Sequence, residues 1–267
     1  MNSFSLALGS KLIGTVAAVV MIAPANPQAP VQATAQNMVD TPRAQSIPAP
    51  VDPRTEAEMK ADSLMSDGRY ESAIKAFASA PQNSAQVCNK TGMAYHHLLN
   101  MSAAKAQYER ALKLNPKYSD AMNNLGTIYY SQKNYKQAEK LYKKALKINP
   151  KNPTIYGNLG TMYFVIGDNR KGSEAYRTAF ALDPHIFERV KQNGVGEAVA
   201  PRERAMMNYS LAKTYAEVGM NERALQYLRM AIGEGFNDRK KLMADKEFAG
   251  LRETPEFGQL LQEQGLR

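Results

Sequence analysis

Apolar residues in this chain recur with two superimposed periods. Within 119–152, Met122, Leu125, Gly126 and Tyr129 fall at i, i+3, i+4 and i+7. After a short polar break, Ala138, Leu141, Tyr142 and Ala145 repeat that spacing. Each set marks one face of an α-helix, so the unit predicts two amphipathic helices and a tight turn. The longer period is 34 residues: Gly92, Gly126 and Gly160 keep it, as do Tyr95, Tyr129 and Tyr163, and Tyr108, Tyr142 and Tyr176. So do Ala111, Ala145 and Ala179, and then Pro116, Pro150 and Pro184. Ala104 and Ala138 continue to Gly172, the one substitution in these columns.

The breaks carry their own signals. Asn100, Asn134 and Asp168 share a column just before the second helix. Asn and Asp side chains accept hydrogen bonds from free helix N-terminal amides, so this column predicts N-caps. The proline column ends the second helix, because proline lacks the amide and clashes with the preceding turn. Asn152-Pro153 predicts a cap followed by a proline in the first helical position. A hairpin of this kind cannot bury its apolar face alone and must stack on neighbours.

These units resemble tetratricopeptide repeats. The residues that carry the resemblance are L-G-x-x-Y at 125–129 and 159–163, the alanine and tyrosine of the second helix, and the terminal proline. The resemblance implies an all-α, right-handed solenoid of helical hairpins. Repeats are expected at 54–84, 85–118, 119–152, 153–186 and 205–238, with an insert at 187–204. The outer two diverge: Phe236 replaces the proline of the last unit, and the first has a weak leading helix and a shortened exit. Residues 239–267 carry Leu242, Phe248, Leu251, Phe257, Leu260 and Leu261, and are expected to form one or two short helices that cap the stack.

The resemblance also implies a concave groove lined by the first helix of each repeat. The groove columns would then hold Asn89, Lys90, Asn123, Asn124, Thr127, Tyr130, Asn158, Thr161, Phe164 and Lys213. Asn124 and Asn158 share a column, and an amide both donates and accepts. A ladder of them would hold an extended peptide by its backbone; the competing expectation is that these amides only order neighbouring helices. A carboxylate clamp is not expected, since only Lys90 and the asparagines match one in part. On the opposite face, Lys136, Lys140 and Lys144 fall at i, i+4 and i+8. They form either a solvated outer face or a surface for an acidic partner or anionic lipid.

The first fifty residues have a different composition. Residues 12–23, LIGTVAAVVMIA, are an uncharged apolar run preceded only by Lys11 as a charged side chain. The run is too short to span a bilayer, which takes about 20 residues of helix, and fits the apolar region of a secretory signal peptide at 1–25. Ala23-Pro24-Ala25 follows at cleavage spacing, with Ala33-Thr34-Ala35 further on. The run is not followed by a cysteine, so a lipoprotein signal is excluded. Residues 24–53 hold seven of the fourteen prolines, and 26–53 is expected to be an unstructured linker, lacking the apolar mass that offsets ordering entropy.

Composition adds little chemistry. Cys88 is the only cysteine, which excludes an intrachain disulfide and a thiolate metal cluster. His96 and His97 are adjacent, so they do not face the same ligand on a helix, and His185 stands apart. No Ser/His/Asp set, carboxylate pair or phosphate loop is present. The expectation is a non-enzymatic scaffold without cofactor or metal, binding a protein or peptide and not nucleic acid, exported to the periplasm or beyond, in envelope assembly or secretion. The alternatives are a membrane-surface tether with its apolar segment retained and a non-catalytic subunit of an enzyme complex. The formal charge of +9 favours acidic partners without deciding among these.

Overall fold

The computed structural model describes residues 54–191 and 200–265. The expected signal segment and linker lie outside them. Among the described residues every regular element is helical, in successive hairpins: α1 (Glu56–Ser66) with α2 (Tyr70–Ala78), α3 (Ala85–His97) with α4 (Met101–Leu114), and α5 (Ser119–Ser131) with α6 (Tyr135–Ile148). Then come α7 (Pro153–Val165) with α8 (Asn169–Leu182), a short α9 (Ile186–Lys191), and α10 (Pro201–Glu217) with α11 (Asn221–Gly233). Each hairpin packs most heavily within itself and then along the chain onto the next, which is the solenoid arrangement. No described helix is long and apolar enough to cross a membrane.

The leading helix of the first hairpin is firmer than its apolar pattern implies. Thr55 and Glu58 form a reciprocal capping box, the Thr55 hydroxyl accepting from the Glu58 amide at 3.2 Å and the Glu58 carboxylate from the Thr55 amide at 2.7 Å. Within the repeats, one turn is used throughout. The chain enters the left-handed region at Gly68, Leu99, Lys133, Gly167 and Gly219, with φ between 59° and 82°. The following amide closes back on the preceding helix: Asn100 to the Tyr95 carbonyl at 2.9 Å, Asn134 to Tyr129 at 2.8 Å, Asp168 to Tyr163 at 2.9 Å. This is a Schellman closure. Asn100, Asn134 and Asp168 then cap the next helix through their side chains, accepting from Ala103, Gln137 and Lys171. One residue therefore ends one helix and begins the other.

Lys133 holds this left-handed turn with a Cβ, which costs about 1 kcal/mol relative to glycine. Lys133→Gly is expected to stabilise the protein by about 0.5 kcal/mol, the strain relieved exceeding the extra chain entropy of the unfolded glycine. The measurement is a rise in the urea midpoint at unchanged slope; a lower midpoint would show that the turn tolerates the side chain without strain.

Each hairpin closes on a glycine–tyrosine contact. The Tyr108, Tyr142 and Tyr176 rings lie flush on Gly92, Gly126 and Gly160, where an added Cβ would come within 2.5–2.8 Å of ring carbon. The last hairpin makes the complementary choice, with Ala212 in the glycine column and Leu228 in the tyrosine column, both fully buried. The Gly172 substitution has a local cause. The buried Phe164 ring rests on it, and a Cβ there would lie 2.9 Å from the ring.

Phe236 replaces the terminal proline because the chain turns back here. Gly235 takes φ 101°, and the Phe236 ring stacks on Tyr209 at 4.1 Å. The cap that follows has more pieces than expected: α12 (Arg239–Ala244), a 3-10 turn (Lys246–Phe248), α13 (Ala249–Arg252) and α14 (Pro255–Glu263). It buries Leu242, Phe248, Leu251, Phe257 and Leu260. Pro255 opens α14, yet Thr254 does not cap it; its hydroxyl donates to the Leu251 carbonyl at 2.7 Å.

Candidate functional site

The leading helices face one another across the stack. α3 contacts α5, α5 contacts α7, and α10 contacts α7, whereas the trailing helices α4, α6 and α8 do not approach one another to the same degree. A stack closer along one edge curves towards it, so α3, α5, α7 and α10 lie on the inner face.

The groove asparagines form a chain of bonds between repeats. Asn158 donates to Asn123 at 2.9 Å, Asn123 to Asn124 at 3.4 Å, and Asn124 to Asn89 at 3.0 Å. Asn89, Asn123 and Asn124 are buried, and Asn158 is half-buried. These amides order neighbouring helices. Each still keeps bonding capacity, since an amide offers two donors and two acceptor positions. Beside them Asn89, Met93, Asp120, Asn123, Asn152 and Thr154 surround a hollow of about 20 Å³, room for one water molecule. Burial raises the Asp120 carboxyl pKa, opposed by the Ser119 hydroxyl. Asp120, Asn152 and Thr154 were absent from the sequence-based set. Their signal was positional: Asp120 and Thr154 lie 34 residues apart in the first turn of successive leading helices.

Several expected groove residues face elsewhere. Phe164 is fully buried, edge-on to Tyr176 at 5.1 Å, because Gly172 leaves room for its ring inside the hairpin. Thr127 is buried too; its hydroxyl lies 3.1 Å from the Asn123 carbonyl and 3.3 Å from the Tyr142 hydroxyl. Thr161 repeats this half-buried, with the Gly157 carbonyl at 3.0 Å and the Tyr176 hydroxyl at 2.9 Å. These threonines anchor buried tyrosines. Tyr130 is half-buried and tilted against Tyr135, and burial raises its phenol pKa to about 12. Lys90 is committed to Asp62 on α1, at 2.6 Å, which removes the one cation of a partial carboxylate clamp. Lys213 pairs with Asp245 at 3.0 Å and Glu247 at 3.2 Å, both in the cap. On α6, Lys136, Lys140 and Lys144 are exposed, while neighbouring Lys143 is held by Glu139 at 2.6 Å. Among the described residues, no cluster of three His, Cys, Asp or Glu groups is arranged to hold a metal.

Known proteins place this architecture. Models of the tetratricopeptide repeat match residues 85–118, 119–152 and 141–172. Residues 85–172 of the chain are tetratricopeptide repeats. No curated protein matches it. Among solved structures, PilF of Pseudomonas aeruginosa is 17% identical, with 79% of this chain and 87% of that one covered at a TM-score of 0.50. A thermophilic TPR protein of Thermus thermophilus is 18% identical, covering 77% of this chain and 97% of that one at 0.48. The first TPR of Spaghetti (RPAP3), solved with the HSP90 peptide SRMEEVD, is 20% identical over 42% of this chain and 90% of its own, at 0.40. At these identities the likeness is one of fold.

Proposed function

We propose that this protein is a non-enzymatic scaffold that holds an extended segment of a partner protein along its inner face, in the bacterial cell envelope. The observation that carries the reading is the polar rim on that face, where the half-buried Asp120, Asn152 and Asn158 border the buried amide chain. Its amides spend only part of their capacity on one another, and Asp120 sits among them with no cation of the described residues at bonding distance. Such a surface pairs with the backbone of an extended chain, which presents alternating donors and acceptors. The apolar run at 12–23 and Ala23-Pro24-Ala25 support export.

A second reading, docking through the α6 lysines on an anionic surface, is favoured by the exposure of Lys136, Lys140 and Lys144 on one helix face. One experiment separates the two. A photoreactive residue is placed at Met93, beside the hollow, or at Lys140, on the outer face, and crosslinked in cells. A discrete partner adduct from Met93, absent from Lys140 and carrying a chain that begins near Asn26, is expected. Adducts from Lys140 alone would reverse the assignment, and an intact Met1 would refute export.

A further inference from the structure

A second cavity lies where the cap meets the stack. It occupies about 320 Å³ between α8, α10 and α12, and among its lining residues are Arg170, Ser173, Arg177, Ser210, Lys213 and Lys241. Four of its ten lining residues are cationic and none is acidic, so its wall is positive. The balancing carboxylates sit behind the wall, in the cap, and are shared. Asp245 serves Lys213 at 3.0 Å and Lys241 at 3.7 Å. Glu247 serves Lys213 at 3.2 Å and Arg177 at 3.8 Å. Among the described residues, the Arg177 and Arg170 heads otherwise reach only the exposed carboxylates Glu217 and Glu174, and pairs of that kind contribute little and re-partner easily. The four cations are thus matched by four carboxylates, but all four of these lie outside the lining, so the surface that faces the cavity is cationic and an incoming carboxylate can replace the exposed partners of Arg170 and Arg177.

Its polar floor suits an oxyanion. Ser210 donates to Ser173 at 3.0 Å, so the Ser173 hydroxyl keeps its own hydrogen as a donor. Tyr209 also lines the cavity, but it offers no ring face for a nucleobase. Phe236 covers one side at 4.1 Å, Phe248 meets it edge-on, and Lys241 lies over it at 5.6 Å. Met206, Tyr209 and Ser210 occupy on α10 the columns that Asp120, Asn123 and Asn124 occupy on α5. The cavity is therefore the C-terminal continuation of the face that carries the polar hollow.

We infer that this cavity is a docking site for carboxylate side chains of an acidic peptide segment. Its geometry rests on the inner-face reading, but its chemistry is independent of it. The probe is fluorescein-labelled hexaglutamate, titrated by anisotropy into the full-length protein at low and high salt. Saturable binding that weakens with salt is expected. Arg170→Glu with Arg177→Glu should weaken it about tenfold or more, through reversed charge at the wall; both side chains are largely exposed, so the fold should survive, checked by an unchanged melting curve. Lys140→Glu with Lys144→Glu should leave binding unchanged. Absence of saturable binding, equal binding by the arginine variant, or loss in the lysine variant alone would overturn the inference. Tighter binding of a hexathymidylate of matched charge would assign the cavity to nucleic acid instead. Crosslinking from Met93 plays no part in this titration, so the cavity and the central hollow can fail separately.

Discussion

Gly126→Ala is expected to destabilise the protein by about 1–2 kcal/mol, yet to stabilise it once Tyr142 is leucine. In the native hairpin the new Cβ would sit 2.8 Å from Tyr142 Cε1 and 3.0 Å from Cδ1. The ring is fully buried and its hydroxyl lies 3.3 Å from Thr127, so it has nowhere to swing. Overpacking of this kind costs about 1–3 kcal/mol, and alanine's better helix propensity returns roughly 1 kcal/mol. Tyr142→Leu alone opens a cavity and should cost about 2–3 kcal/mol. In that background the alanine methyl meets vacated space, the overpacking vanishes and the propensity gain remains. The change of sign corresponds to a coupling of about 2–3 kcal/mol, at the upper end for residues in contact. Ala212 with Leu228 in the fifth hairpin is the same pair in native form. Urea unfolding of the four proteins in the cycle measures the coupling. Additive losses would show that the tyrosine ring yields, and that the glycine column is not set by ring contact.

The same columns explain how much could be read in advance. The 34-residue repeat and both helices of each unit were legible in 85–186, because burial on one helix face imposes the 3.6-residue pattern and the turn fixes the phase. The turn's left-handed residue was less legible. Gly167 and Gly219 signal it, but Leu99 and Lys133 adopt the same backbone without glycine, held there by the closure onto Tyr95 and Tyr129. Inside or outside was harder still. His96, Tyr130 and Phe164 share a column at the rim of the helix face, where a rotation of a few tens of degrees decides burial. For Phe164 the deciding residue is Gly172, eight positions away, so only the pair carries the information.

The amide network was hidden for a geometric reason. Asn124 and Asn158 share a column, yet they do not bond to each other. Each reaches a residue 35 positions earlier, Asn89 and Asn123, because the stacked helix is displaced by one residue in register. A search within columns passes over partners that lie between columns. The cap cavity was invisible for a related reason: Arg170 and Arg177 lie on a trailing helix, outside the columns that the repeat architecture implies for binding, and α12 brings Lys241 to them from outside the repeats.

His96 makes the second hairpin acid-sensitive, and a loss of about 3 kcal/mol is expected as the pH falls from neutrality towards 4. The side chain is 2% exposed and neither ring nitrogen has a hydrogen-bond partner among the described residues. Desolvation, reinforced by the neighbouring charge of His97, lowers its pKa to about 4 in the folded protein, against about 6.5 in the unfolded chain. A depressed folded pKa means that the unfolded chain takes up the proton first. Stability is therefore full above pH 6.5, falls by about 1.4 kcal/mol per unit below it, and levels off near pH 4. His97, stacked on Tyr70 at 4.4 Å, is shifted in the same direction by burial. Asp120, raised by burial, opposes the trend, because its folded form takes up a proton more readily. Glu139, Asp168 and Asp245 are lowered; their stabilisation is lost only as pH falls through the carboxylate range, below most of the histidine window. His96→Leu removes the titrating group and two unsatisfied nitrogens while keeping comparable volume. Urea unfolding at about pH 7, 5.5 and 4.5 should show this variant more stable at neutrality, with most of the decline between roughly pH 6.5 and 4.5 removed. A decline as steep as that of the native protein would place the acid sensitivity elsewhere. Because neighbouring repeats stabilise one another through shared interfaces, charging one buried imidazole in α3 should loosen the packing against α1–α2 and α5 as well. The polar hollow spans α3, α5 and α7, so acid should disrupt it before the cap cavity.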